Sequence, residues 1–86
     1  MLRAGLSPRE WDVLHYLCLY QDAHSWMPTV RDICEGVGIS STSLVVYYLE
    51  KLERKGLLYW EEHGARAIRF TERGREALGL LEEQRP

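Results

Sequence analysis

Apolar residues recur at helical spacing near the start of the chain: Trp11, Leu14, Leu17 and Cys18 fall on one face. Upstream, Ser7-Pro8-Arg9-Glu10 sets Ser at an N-cap, Pro at N1 and Glu at N3. That is a capping box, with Leu6 and Trp11 at the positions of a hydrophobic staple. The pattern predicts a helix over residues 8–22 and a loop over 22–28, where Pro28 biases Met27 away from helix. Thr29, with Asp32 three residues on, predicts the cap of a short second helix with Ile33 and Val37 inward. Gly36 and Gly38 bracket its end. Ile39 fills the turn. Ser40-Ser41-Thr42-Ser43 then opens a third helix, capped by Ser41, that runs to Lys55 and stops at Gly56. Two helices joined by a tight Gly-containing turn outline a helix-turn-helix.

After Gly56 the period changes. Leu57-Leu58-Tyr59-Trp60 and Ala67-Ile68-Arg69-Phe70 read as two strands around a polar tip, Glu62-His63-Gly64-Ala65. Thr71 is placed to cap a last helix over residues 72–84, with Ala77, Leu78 and Leu81 on one side. The fold class expected is mainly α with a small β-hairpin, one domain over residues 1–86, without repeat or linker.

Composition narrows this little. With 45% hydrophobic and 28% charged residues, the chain is an ordinary globular mix and not a disordered one. The longest apolar run, Leu44 to Leu49, cannot span a membrane, and no secretory signal is expected. Cys18 and Cys34 show no CxxC pairing and read as small buried hydrophobes of a reducing, cytoplasmic setting. His15, His24 and His63 lack zinc-ligand spacing. No nucleophile–base set, paired acids or Gly-rich phosphate loop points to an enzyme, and no cofactor or small-molecule ligand is implied.

Charge changes the picture through its distribution. The formal net charge is −2, yet residues 51–75 carry seven Lys/Arg against four Glu, while residues 1–50 carry three Arg against six acids. Lys51, Arg54 and Lys55 end the third helix, and Arg66 and Arg69 lie at the hairpin, where they can meet phosphates beside a groove. Arg66, a forked donor at the tip, is the best single candidate. The alternative is a solvated charged face.

At about 100° per residue, Val45, Leu49, Leu52, Tyr48 and Ser41 form the core stripe of the third helix. Opposite lie Ser43, Tyr47, Glu50 and Arg54, with Val46 on the flank. The outer N-terminal half is thus hydroxyl and apolar where solvation favours charge. Recognition helices read bases with their first turns, hydroxyls approach bases or phosphates, and an apolar group contacts a thymine methyl. On this reading Val46 and Tyr47 face T·A pairs; the alternative is that they pack on the second helix or on a partner chain. Of the neighbours Tyr59 and Trp60, one is expected in the core and the other half exposed; Trp26 carries the same ambiguity.

Four segments together carry a family resemblance: Pro28-Thr29-Val30-Arg31-Asp32-Ile33, Val37-Gly38-Ile39-Ser40-Ser41-Thr42-Ser43, Leu49-Glu50-Lys51-Leu52-Glu53-Arg54-Lys55-Gly56-Leu57 and Arg66-Ala67-Ile68. With Ser7-Pro8-Arg9-Glu10, residues 6–70 resemble the DNA-binding domain of LexA repressors. The resemblance implies a winged helix-turn-helix: three helices, a two-stranded wing and here a C-terminal helix, binding palindromic double-stranded DNA as a homodimer. It implies base reading by Ser41, Ser43, Leu44, Val46 and Tyr47, with the wing from His63 to Arg66 on the backbone. Thr42, Glu50, Lys51 and Arg54 complete the expected DNA-binding set. The chain departs from the family at Leu44-Val45-Val46-Tyr47-Tyr48, where many relatives carry Thr-Val-His or Asn-Ala-Glu-type residues. The 86 residues leave no room for the family's protease domain, so self-cleavage is not expected of this chain. Thr71 to Leu78 looks like the last helix of small stand-alone winged-helix regulators. A transcriptional regulator, specifically a repressor, is the expected function; a winged helix used for protein–protein contact is the alternative.

Overall fold

Hydroxyl residues start the helices where the sequence marks them. In the computed structural model, which describes residues 5–60 and 68–79 with side chains and the backbone of 80–83, the elements are α1 (Pro8–His24), α2 (Val30–Val37), α3 (Thr42–Arg54), β1 (Leu58–Trp60), β2 (Ile68–Phe70) and α4 (Glu72–Glu83). Ser7 Oγ accepts the Glu10 N–H at 3.2 Å, and the Ser7 N–H donates to Glu10 Oε1 at 2.7 Å. Thr29 and Asp32 close the same box at 3.1 and 3.0 Å. Ser41 Oγ accepts the Leu44 N–H at 3.2 Å. Thr71 Oγ1 accepts the Gly74 N–H at 2.9 Å and donates to the Gly56 carbonyl at 2.7 Å, tying α4 to the end of α3.

The first three helices pack on one another around Leu6, Leu14, Leu17, Ile33, Leu49 and Leu52, all fully buried. Truncating any such leucine typically costs about 2–5 kcal/mol. β1 and β2 pair antiparallel, Leu58 with Phe70, Tyr59 with Arg69 and Trp60 with Ile68. Alternation puts Leu58, Trp60, Ile68 and Phe70 in the core and turns Tyr59 and Arg69 outward. Helix-turn-helix followed by hairpin and closing helix is the winged helix-turn-helix architecture. Gly38 and Gly56 end α2 and α3 at positive φ, 74° and 77°. Gly74 lies so close to the Leu57 carbonyl that a Cβ there would overlap it.

The structure corrects several expectations. α1 runs to His24, past residue 22, because Ser25 adopts the left-handed conformation (φ 65°) and its N–H caps the Gln21 carbonyl at 2.7 Å. α3 ends at Arg54, with Lys55 as its C-cap. Leu57 precedes β1: its N–H donates to the Leu52 carbonyl and its carbonyl accepts from Thr71, so both groups serve the turn. Ser41 is exposed and outside the core stripe, since an N-cap residue is extended (φ −102°, ψ 119°) and the wheel angle does not apply to it. Val46 and Tyr48 are both half-buried and pack against the core, so the inward arc of α3 is wider than a narrow stripe and includes the Val46 flank. Ala77 and Leu78, placed on one side of the last helix, are both buried in the core. Ala67 and the hairpin tip lie outside the described residues, as does the side chain of Leu81.

Candidate nucleic-acid interface

α3 divides into two halves of opposite chemistry. Between Glu35 and Glu50 the chain carries no charged side chain. From the turn into the N-terminal half, Ser40, Ser41, Thr42, Ser43, Leu44 and Tyr47 are all exposed. Leu44 keeps 40% of its surface and Tyr47 47%, among the most exposed large apolar side chains of the described residues. The Tyr47 ring sits 5.5 Å from that of Tyr48, and the Lys51 ammonium stands 5.3 Å from the Tyr47 centroid. Hydroxyls, a branched aliphatic and an oriented phenol ring therefore share one free surface at a helix N-terminus, where unpaired N–H groups favour a phosphate.

The C-terminal half faces a buried carboxylate that sequence reasoning missed. Glu10 is 1% exposed. Lys55 Nζ donates to its two oxygens at 2.9 and 3.0 Å and to the Gly5 carbonyl at 3.0 Å. Lys51 Nζ stands 3.8 Å away. Burial pushes the Glu10 carboxyl up, but the Ser7 N–H and hydroxyl and the Lys55 ammonium outweigh it and hold the group below its usual range. The only signal in the sequence was the capping box, which places Glu10 but does not bury it. Lys55, read as a phosphate contact, thus has its ammonium turned into the fold. Lys51 lies between Glu10 and Tyr47, Glu50 is half-buried, and Arg54 is exposed.

On the hairpin, Tyr59 is exposed and Trp60 buried, as alternation requires, and the Arg69 guanidinium lies 5.4 Å from the Tyr59 centroid. Trp26 is 60% exposed. It borders a cleft of about 550 Å³ between residues 25–27 and the hairpin, lined also by Tyr59, Arg69 and Arg75. The His24 ring stacks on Tyr20 at 4.0 Å and tilts toward Trp26 at 5.4 Å. The i,i+4 spacing of Tyr16, Tyr20 and His24 was the signal for this row. His63 and Arg66 lie outside the described residues. No helix among the described residues is long and apolar enough to cross a membrane.

Comparison with known proteins places the chain in a family. A family model described as the LexA DNA binding domain matches residues 3–67. The LexA repressor of Ligilactobacillus salivarius is 44% identical over 73 residues, covering 85% of this chain and 35% of the relative. That of Lactobacillus johnsonii is 38% identical over 78 residues, covering 91% and 38%. That of Lactobacillus helveticus is 36% identical over 86 residues, covering 100% and 41%. The chain therefore spans well under half the length of these relatives. The match takes in both helices of the helix-turn-helix and the first strand of the wing, and on it the chain belongs to the LexA DNA-binding domain family.

Proposed function

We propose that this chain is a non-enzymatic, cytoplasmic transcriptional repressor that occupies a double-stranded DNA operator as a homodimer. The N-terminal half of α3 enters the major groove, and the hairpin lies on flanking phosphates. The observation that carries this reading is the uncharged, exposed opening of α3 in a helix-turn-helix of the LexA family. Ser41, Thr42, Ser43, Leu44 and Tyr47 face the groove, with Val46 contributing only its free edge. Glu50, Lys51 and Arg54 follow as the helix climbs away, Arg54 being the cation best placed for a phosphate. Arg69 extends the basic surface on the hairpin, and His63 and Arg66 belong to the proposed wing contact. Two-fold symmetry sets the recognition helices roughly 34–36 Å apart, one turn of DNA.

A salt titration on duplex DNA tests the reading: affinity falls linearly in log–log with salt if phosphates are contacted. Arg66→Ala then lowers the slope by roughly one without altering sequence preference. A salt-insensitive complex with a protein, and none with DNA, assigns the module to protein–protein contact instead. Sedimentation showing a monomer both free and on operator DNA overturns the dimer.

A further inference from the structure

We propose that α3 reads thymine methyl groups, with Leu44 and Tyr47 as the reading side chains, on a half-site rich in T·A pairs and without guanine readout. This rests on the DNA-binding reading above and adds the chemistry of the sequence that is read.

The argument begins with what α3 lacks. Direct readout of guanine in the major groove uses Arg or Lys, of adenine Asn or Gln, and of cytosine Asp or Glu. Residues 40–49 contain none of these six types. The first is Glu50, itself half-buried. Lys51 follows, but its ammonium is held between the Glu10 carboxylate and the Tyr47 ring. The exposed hydroxyls of Ser40, Ser41, Thr42 and Ser43 bond to any base or to phosphate, so they add affinity with little discrimination.

What remains is apolar. Leu44 and Tyr47 are exposed and stand at i,i+3, neighbours on one helix face with Cβ atoms roughly 5–6 Å apart. That separation spans one to two base steps at about 3.4 Å each. The thymine methyl is the only apolar feature of the major-groove edge. The Tyr47 ring lies 5.5 Å from the Tyr48 ring and 5.3 Å from the Lys51 ammonium. Val46, the flank position that the sequence pattern pairs with Tyr47, packs against the core, and Leu44 takes its place as the partner.

The test uses the full chain. Selection from random duplex DNA is expected to enrich adjacent T·A pairs in each half-site. Replacing those thymines by uracil removes only methyl groups and leaves the protein untouched. It is expected to weaken specific binding about fourfold per contacted methyl, the equivalent of one methylene left unburied. Leu44→Ala is expected to weaken specific binding roughly tenfold, to make it indifferent to uracil at the facing position, and to leave the salt slope unchanged. Specific binding that ignores uracil, or a half-site whose strongest positions are guanines, overturns the inference while DNA binding stands. Loss of self-association in Leu44→Ala with operator affinity unchanged gives the face to a second copy and also overturns it. Absence of any salt-dependent DNA binding removes the functional reading and this inference together.

Discussion

The two halves of α3 differ in where their side chains find partners. In the C-terminal half, Lys51 and Lys55 converge on Glu10, a carboxylate from another helix with almost no contact to water. In the N-terminal half there is no charge, and the large side chains Leu44 and Tyr47 stay exposed. Ordinary solvation would give the reverse, with charge outside and leucine inside. The difference teaches that the positive charge of this segment is not a simple measure of its exposed basic surface. Part of it holds α3 to α1, and the exposed opening of α3 is left with hydroxyls and apolar side chains.

The comparison breaks most visibly if Lys55 is removed. Lys55→Met leaves Glu10 buried with only its Ser7 contacts and the distant Lys51, and is expected to cost about 3 kcal/mol. The melting temperature should fall by roughly 12 °C or more, read by circular dichroism. The sequence preference of whatever protein remains folded should be unchanged. A variant as stable as the parent would mean that the ion pair contributes nothing to holding α3.

Gly74→Ala tests the inner side by packing alone. In an exposed helix this change stabilises by about 1 kcal/mol. Here the new Cβ overlaps the Leu57 carbonyl, so the sign reverses and a loss of about 2 kcal/mol is expected in urea titration.

Acid sharpens the contrast without mutation. The folded state holds the Glu10 carboxyl below its ordinary value of 4.5. The unfolded chain therefore binds more protons below that pH, and stability declines as pH falls from about 4.5 through the folded-state value. The urea midpoint should drop as pH falls below about 4.5, and Glu10→Gln should remove the part of that drop carried by Glu10, while the Asp32 carboxyl, held low by its Thr29 hydrogen bonds, keeps its own. At the other end of the scale, Leu44→Ala should change the unfolding free energy by no more than about 0.5 kcal/mol, since its side chain is a surface one. A larger loss would show that Leu44 supports the core.

How far the sequence carried these conclusions depends on the range of the interaction. The caps at Ser7, Thr29, Ser41 and Thr71 were legible because each joins groups three residues apart. The hairpin's inner and outer faces followed from strand alternation, which is why the choice between Tyr59 and Trp60 resolved cleanly. The wheel separated Val45, Leu49 and Leu52 from Tyr47, but it misjudged Ser41, whose backbone is not helical, and Val46, whose flank is covered by the packed core.

Local chemistry thus settled, from the chain itself, where the helices begin, that two of them form a helix-turn-helix, and that the opening of α3 carries no charge. These are matters of hydrogen bonds and periodicity within a few residues. Only the tertiary structure decided the fate of individual side chains. Glu10 meets a lysine 45 residues away, and no local pattern specifies that the carboxylate is buried or that Lys55 turns inward to it. The same holds for the exchange of Val46 for Leu44 on the free face. Which flank of a helix is covered depends on the elements packed against it, and that is a property of the assembled core.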